Sequence, residues 1–130
     1  MTIRKAQKGE KGVIRALIAT EPLELEQERL PRRKDFLVAE TEAGLIVGCG
    51  AVVLDGPRPE VRSFVVLPGY RCNGIATALL EACIARARKK TRRRKGKFEL
   101  MVATGKPRLF QQVGFQSTNR RKHYALFLLL

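Results

Sequence analysis

The residues best suited to chemistry lie in one stretch of the chain, residues 65–76, with the sequence VVLPGYRCNGIA. An apolar strand runs there through a short turn into a helix, whose first N–H groups have no partner within the helix. The helix dipole adds partial positive charge, so the junction suits a phosphate or pyrophosphate. Gly74 allows close approach of the backbone to such an anion, and Arg71 adds charge and N–H donors. The alternative is a plain turn with a solvent-facing arginine.

The helices around this junction can be predicted from the spacing of apolar residues. Helices are expected over residues 9–19, 74–90 and 107–113, and a short acidic helix is expected to end near Leu30. The first should bury one face that contains Val13, Ile14, Leu17 and Ile18. The second should bury a stripe of Ile75, Leu79 and Cys83, flanked by Ala76, Leu80 and Ile84.

Strands account for most of the remaining chain. They are expected over residues 3–6, 36–39, 45–54, 60–67, 98–104, 115–117 and 124–130. The second and third should form a hairpin, and Gly48 and Gly50 should interrupt the third. This order of elements predicts an α+β fold, with helices packed on a mixed sheet.

Length and composition limit the classes of protein. The chain of 130 residues is expected to form one domain, residues 1–130. It has no apolar run of the ~18 residues that a membrane-spanning helix needs, and its N-terminus lacks the apolar segment of a signal peptide. We therefore expect a cytoplasmic protein. Cys49, Cys72 and Cys83 form no CxxC pair and are distant in sequence from His123, which favours reduced thiols over disulfides or a zinc site.

The junction motif, Arg71-x-x-Gly74-x-Ala76 after a strand that ends in VLPGY, resembles the acetyl-CoA motif of the GNAT N-acetyltransferase superfamily. Further pieces fit this family in the same order, namely IRKA at residues 3–6, the hairpin FLVAE and IVGCG, and LFQQVGF at residues 109–115. The resemblance covers nearly the whole chain. It implies a GNAT-like, mostly antiparallel sheet of about six to seven strands with about four helices. It also implies an enzyme that uses acetyl-CoA as co-substrate; from the spacing of the cysteines and His123 we expect no metal.

The resemblance further implies which residues hold acetyl-CoA. Backbone groups of Val65, Val66 and Leu67 would bind the pantetheine arm as an added strand, and the amides of residues 71–76 would bind the pyrophosphate. One amide near Val65 or Val66 would point at the thioester oxygen, where attack by an amine places negative charge. The predicted cofactor set is Val65, Val66, Leu67, Arg71, Cys72, Asn73, Gly74, Ile75 and Ala76.

Cys72 departs from the family pattern, which usually has glycine directly after the motif arginine. If the loop needs a positive φ at this position, a cysteine there costs about 1 kcal/mol of strain. We expect weaker cofactor binding at worst. Because Cys72 is near a helix N-terminus, a reactive thiol is the alternative to an inert loop side chain.

Within the superfamily, the sequence most resembles the amino-acid acetyltransferases of the N-acetylglutamate synthase type. The matching pieces are LPRR at residues 30–33, VGCGA at residues 47–51 and EVRS at residues 60–63. Phe110 supports this group, because many other members have a tyrosine there that protonates the departing thiolate. The group usually has a helix after the Arg-Arg pair, whereas here Phe36 follows almost at once, so the acceptor pocket should differ in shape.

An amino-acid acceptor requires a clamp for its carboxylate, and the planar fork of arginine matches that group. Arg32, Arg33 and Arg62 are the predicted substrate-binding residues. For Arg32 and Arg33 the alternative is a solvated loop. For Arg62 it is a salt bridge to Glu60, since residues two apart on a strand share a face.

The acceptor must attack as a free amine, although an amine is mostly protonated at neutral pH. A general base is therefore needed, and Glu60, at the start of the strand that would carry the thioester, is the predicted catalytic residue. The alternative is that Glu60 only pairs with Arg62; His123 and Tyr124 are weaker candidates for the base. The predicted function is acetyl transfer to the primary amine of a small molecule by direct attack in a ternary complex.

A basic run dominates the net charge of +14, because nine of the twelve residues from Arg86 to Lys97 are basic. Three interpretations are open: a solvated face, a contact with nucleic acid or the ribosome through phosphates, or a contact with the 3′-phosphate of coenzyme A. The last is disfavoured because the run lies at the far end of the helix after Gly74. Two alternative functions follow: a protein associated with nucleic acid or the ribosome, and an acetyltransferase that acts on a protein or peptide. The acidic segment at residues 21–28 could attract a basic substrate, or it could pair with the chain's own basic run.

The C-terminal segment from Ala125 to Leu130 is apolar at every position. A buried strand explains this pattern, and so does a sheet edge that pairs with a second copy of the chain. We predict a homodimer.

Overall fold

The computed structural model of the protein describes residues 1–21, 30–56, 58–71, 73–104, 106–117 and 125–130. These contain the strands β1 (Thr2–Lys5), β2 (Phe36–Glu40), β3 (Ile46–Val53), β4 (Glu60–Val66), β5 (Glu99–Ala103), β6 (Gln116–Ser117) and β7 (Ala125–Leu129). The helices are α1 (Lys11–Ile18), α2 (Ile75–Thr91) and α3 (Pro107–Gln112), with short 3₁₀ turns at Arg33–Asp35 and Pro68–Tyr70. The predicted acidic helix, Cys72, His123 and Tyr124 lie outside the described residues.

The seven described strands form one sheet in the order β1-β2-β3-β4-β5-β7-β6. Neighbours are antiparallel throughout the described sheet, except for the parallel pair β4 and β5. The α+β prediction with a mixed, mostly antiparallel sheet is therefore confirmed. The predicted break in β3 is wrong, since β3 runs without interruption from Ile46 to Val53.

Helices cover both faces of the sheet, because residues of each strand alternate between the faces. One cluster packs Ile14, Leu17 and Ile18 of α1 against Phe36 and other strand residues. The other packs α2 and α3 against the opposite face.

The buried faces of the helices largely follow the predicted spacing. The stripe of α2 is buried at Ile75, Leu79 and Cys83. Val13 was expected on the buried face of α1 but is 45% exposed. Ile14, Leu17 and Ile18 form the face of the short helix α1 that packs on the sheet, and Val13 lies beside that face.

The thiols, the helices and the C-terminal strand bear on the remaining predictions. Cys49 and Cys83 are buried thiols, and burial raises the pKa of Cys83 to about 12. None of the helices in the described ranges is both long and apolar enough to cross a membrane. β7 lies between β5 and β6, and its Leu126 is buried whereas Leu129 is 59% exposed.

Candidate active site

An opening in the sheet between β4 and β5 forms the main candidate site. Among the described residues, the two strands pair at Glu60 with Met101 and at Val61 with Val102, and they separate beyond these pairs. The gap is a cavity of about 360 Å³, lined by both strands, the start of α2 and part of α3. A parallel pair that separates in this way leaves one edge of β4 available to a ligand.

A β-bulge in β4 lies beside the cavity. Ala51 and Cys49 of β3 are two residues apart, whereas their partners Arg62 and Val65 on β4 are three residues apart, so β4 contains one extra residue. Ser63, within this step, is buried and has a φ of 53°, a left-handed conformation that is uncommon for a residue with a Cβ.

The bulge reverses which side of the sheet each β4 residue faces. Val61 packs in the cluster with α2, whereas Val65, four residues later, packs in the cluster with α1. Without an extra residue, two positions four apart would share a face. Glu60 and Arg62 therefore lie on the α1 side before the bulge, and Phe64 packs on the α2 side after it.

Two contacts from β3 fit the bulge. The thiol of Cys49 donates to Ser63 O at 3.5 Å. A Cβ at Gly50 would lie 2.8 Å from a ring carbon of Phe64, so the absence of a side chain at Gly50 makes room for that ring. Glycine at position 50 thus has a packing reason that the sequence pattern did not reveal.

The hydrogen bonding of β4 determines which of its amides face the gap. Leu67 donates its N–H to Val47 O of β3 at 2.9 Å. Because backbone groups alternate between the two edges of a strand, those of Val65 also point to β3 and those of Val66 point into the gap. Val66 O indeed accepts a bond of 2.9 Å from Nε of Arg71, on the side away from β3. By the same alternation, the amide of Phe64 is on the open edge.

The start of α2 has the features predicted for an anion site. Gly74, its N-cap, has a φ of +85°, and a Cβ there would meet no atom within 4 Å. Among the described residues no side chain caps the helix, so the amides of its first turn are available to a ligand. Ala76 in this turn lines the cavity.

Arg71 lines the cavity and belongs to a cluster of charges at its rim. Its Nη2 donates to Oε1 of Glu21 at 2.6 Å, and Nζ of Lys106 donates to the same oxygen at 2.9 Å. The bond from Lys106, followed by the charges of Lys106 and Arg71, holds the pKa of Glu21 below its ordinary value despite partial burial. Glu21 thereby connects the loop after β4 with the loop after β5.

Glu60 and Arg62 line the same cavity, on the α1 side of β4. Burial raises the pKa of Glu60 above its ordinary value, and the nearby charge of Arg62 opposes that rise without cancelling it. A carboxylate with a raised pKa holds a proton more readily, which suits a general base.

Arg32 and Arg33 lie elsewhere. Arg32 forms an ion pair of 3.5 Å with Asp35, and Nη1 of Arg33 donates to Ala6 O at 3.0 Å. Both line a second cavity, which shares none of its described lining residues with the cavity between β4 and β5. The structure therefore brings together Glu60 and Arg62 but not the other two arginines, whose role as a carboxylate clamp stays a prediction.

Phe110 on α3 is a buried wall of the cavity. Its ring meets the rings of Phe64 and Phe115 edge to face, each with centroids 5.6 Å apart. The side chain has no proton to donate, so packing explains its presence. Among the cavity residues, Ser63, Phe64, Glu21 and Lys106 were missed by sequence reasoning. The contacts of Glu21 with Arg71 and Lys106 span 50 and 85 positions, and the places of Ser63 and Phe64 depend on the bulge, so neither leaves a local pattern.

Comparisons with known proteins agree with this geometry. A GNAT acetyltransferase domain model matches residues 32–117, about two thirds of the chain. The chain belongs to the GNAT acetyltransferase family. No protein among the curated sequences matches it.

Solved structures of GNAT proteins share the fold. The chain is 25% identical to Rv2747 from Mycobacterium tuberculosis, solved in complex with CoA and NLQ, with a TM-score of 0.77 over 92% of this chain and 74% of that one. It is 23% identical to N-acetylglutamate synthase from Neisseria gonorrhoeae, solved with coenzyme A and N-acetyl-glutamate, with a TM-score of 0.77 over 99% of this chain and 35% of that one. A GNAT-family acetyltransferase from Staphylococcus aureus Mu50 is 15% identical, with a TM-score of 0.74 over 99% and 98% of the two chains. This GNAT chain spans about a third of the synthase.

The GNAT chain is an acetyl-CoA-dependent N-acetyltransferase, as the sequence predicted. The residues present fit acetyl-CoA, because the open edge of β4, the uncapped start of α2 and Arg71 lie along or beside one cavity. No group of three His, Cys, Asp or Glu side chains within the described residues is placed to hold a metal ion.

Proposed function

We propose that this enzyme acetylates the primary amine of a small molecule by direct attack in a ternary complex, with Glu60 as general base. The observation that carries the proposal is the position of Glu60. It lines the same cavity as the open edge of β4, and burial raises the pKa of its carboxyl group. A base so placed can take the proton of an incoming ammonium group and leave a nucleophilic amine.

The chain supplies binding, orientation and charge stabilisation. When bound, acetyl-CoA provides an activated acetyl group. In the proposed arrangement, the amides of residues 73–76 and the guanidinium of Arg71 hold the pyrophosphate, and the pantetheine arm lies along the open edge of β4, where the amides of Phe64 and Val66 are exposed. The amide of Val66 or Phe64 stabilises the charge that attack places on the thioester oxygen. The C–S bond then breaks, and solvent protonates the thiolate because Phe110 has no proton to donate.

Arg62 supports an acceptor that carries a carboxylate, such as an amino acid. It is on the same face of β4 as Glu60 and lines the same cavity, so one molecule could place its amine at Glu60 and its carboxylate at Arg62. In the described structure Arg32 and Arg33 lie at another cavity and are not needed for this arrangement.

Acceptor pairs that differ by one carboxylate test this proposal. Coenzyme A release should be measured with glutamate, glutamine and other amino acids, each beside the matching amine without its α-carboxylate. Polyamines should be included. The carboxylate-bearing member should have the higher kcat/KM. In Arg62→Met the ratio of the two kcat/KM values should fall about tenfold or more, as for a lost hydrogen bond to a charged group. A preference that survives in Arg62→Met contradicts the role of Arg62, and acetylation of peptides alone contradicts a small acceptor.

A homodimer that pairs along β7 is the proposed assembly. Among the described residues, β6 pairs with Leu126 and Phe127 of β7, and this short pairing supports a contact of the remaining edge of β7 with a second copy. Sedimentation at micromolar concentration should give twice the chain mass of 14.6 kDa. A monomer mass contradicts the assembly without affecting the proposed chemistry.

A further inference from the structure

A second cavity has a lining that is mostly basic. It has a volume of about 480 Å³ and lies between the C-terminal half of α2, the 3₁₀ turn Arg33–Asp35 and the end of β3. Seven of its described lining residues are basic and two are acidic. Cavity walls of one sign concentrate the field and attract ligands of the opposite sign.

The two acidic residues leave most of this charge without compensation. Asp35 forms an ion pair with Arg32, and Asp55 is an exposed residue of the cavity lining. Arg33 and Arg94 bond to the backbone oxygens of Ala6 and Leu54, and those bonds do not neutralise a guanidinium. An anion that enters the cavity would therefore meet several cations that have no ion pair among the described residues.

Arg86 is the cation for which the missing counter-charge matters most. Its Nη2 donates to Lys34 O at 2.6 Å, while its Nε and Nη1 are covered and have no hydrogen-bond partner within the described residues. A charge that is partly removed from water without an ion pair is unfavourable. An anion in the cavity beside Arg86 would supply the missing opposite charge.

The positive surface extends well beyond this cavity. Residues 88–90 and 92–97 are exposed, and all but Gly96 are basic. The last turn of α2 accounts for Arg88, Lys89 and Lys90 as partners of the helix dipole, but not for the cations that follow. A small anion would need the cavity alone, whereas a chain of phosphates can contact both the cavity and the extended surface.

We infer that the cavity beside Arg86, together with the exposed cations after it, binds the phosphate backbone of a nucleic acid, for which single-stranded RNA is the probe. The binding is independent of sequence and sensitive to salt, because it depends on phosphate neutralisation. The surface is separate from the acetyl-CoA cavity, since the two share none of their described lining residues.

Charge reversal on the exposed part of this surface tests the inference. Binding of a fluorescein-labelled RNA of mixed sequence should be followed by anisotropy at several salt concentrations, with Lys90→Glu/Arg94→Glu in the full chain. We expect affinity to fall at least tenfold and the slope of log K against log salt to become shallower by about 1.4, for two lost phosphate contacts. Lys8→Glu/Lys11→Glu changes the net charge equally at exposed positions outside the cavity and is the matched control.

The outcomes separate this surface from general attraction and from the enzyme's cofactor site. Equal loss of affinity in the control pair, equal competition by poly-glutamate, or equal competition by inorganic phosphate overturns the inference. Acetyl-CoA titrations of the same variants should match the wild type. If acetyl-CoA binding is absent in every protein while RNA binding responds as expected, the proposed catalytic function fails and the RNA surface stands.

Arg86→Met tests the anchor beneath the surface. It should weaken RNA binding while the Tm stays equal or rises, because the free protein loses a charge that has no ion pair within the described part of the chain. Unchanged RNA affinity in a folded Arg86→Met variant shows that Arg86 serves the fold alone and removes it from the site. If this variant does not fold, the Lys90→Glu/Arg94→Glu pair still decides the inference.

Discussion

The two cavities differ in how their charges are balanced. At the cavity between β4 and β5, the cations Arg71 and Lys106 share the carboxylate of Glu21, and the remaining walls are largely apolar side chains and backbone. At the cavity beside Arg86, basic residues outnumber acidic ones and two buried nitrogens of Arg86 have no partner among the described residues. Backbone geometry defines the first site, which suits ligands held in fixed orientations. Charge defines the second, which suits a polymer of phosphates.

Among variants that affect only one of the two cavities, Glu60→Gln should have the largest effect. The variant should lose about 100-fold or more in kcat, because general-base catalysis contributes 10²–10⁴-fold, and it should bind acetyl-CoA as the wild type does. Steady-state kinetics and calorimetric titration measure the two quantities. Glu99→Gln, at an exposed carboxylate of β5, is the matched control and should be unchanged.

The pH profile of the same pair sharpens the test. Because the pKa of Glu60 is raised, the wild-type rate should fall with decreasing pH already above the ordinary glutamate value of 4.5, as the base becomes protonated. Glu60→Gln should lack this acidic limb. An identical limb in both proteins shows that another group is the base.

The next largest effect should come from Arg71→Ala. It removes the charged donor beside the start of α2, so acetyl-CoA affinity should fall by about 1–3 kcal/mol. Calorimetric titration at low and high salt measures this loss, and RNA binding should not change. Arg88→Ala, at an exposed arginine of α2 outside the cavity between β4 and β5, is the matched control and should bind acetyl-CoA normally. Wild-type affinity in Arg71→Ala removes Arg71 from the cofactor site.

Gly50→Ala tests whether backbone geometry defines the first cavity. The added Cβ would lie 2.8 Å from the ring of Phe64, so that ring or the bulge must shift, at a cost of about 1–3 kcal/mol in unfolding free energy. Denaturant unfolding should show this loss together with a lower kcat/KM. Gly12→Ala, where a Cβ meets no atom within 4 Å, should be as stable as the wild type or more stable. Equal stability of the two variants shows that the packing at Gly50 is unimportant.

The smallest effect should come from Glu21→Gln. The carboxylate competes with an anionic ligand for Arg71 and Lys106, so its removal should tighten acetyl-CoA binding a few-fold. Since the folded pKa of Glu21 is lowered, its charge stabilises the fold above its ordinary value of 4.5, and this contribution is lost as pH falls through the folded pKa. Thermal melts of wild type and variant should therefore converge in acid. Weaker acetyl-CoA binding by the variant instead indicates that Glu21 positions Arg71.

Sequence reasoning succeeded where the signal is local. The spacing of Ile75, Leu79 and Cys83 predicted the buried stripe of α2, and Gly74 marked its start. The mixed sheet followed from the order of strands and helices. Two predictions show the limits of such patterns. How much of α1 is buried, and so the exposure of Val13, depends on the surface it packs against. Whether a glycine breaks β3 or allows a neighbouring strand to approach depends on that neighbour.

The amino-acid sequence by itself determined the junction of strand, turn and helix, and with it the acetyl-CoA motif, because a glycine, an arginine and a helix N-terminus act within a few residues. Only the tertiary structure decided that β4 separates from β5, that a bulge at Ser63 places Val61 and Val65 on opposite faces of the sheet, and that Glu21 joins Arg71 to Lys106. It also decided that Arg62 lies with Glu60 while Arg32 and Arg33 lie with Arg86. These features depend on contacts between distant parts of the chain, whose energies arise from packing and charge pairing in the folded state.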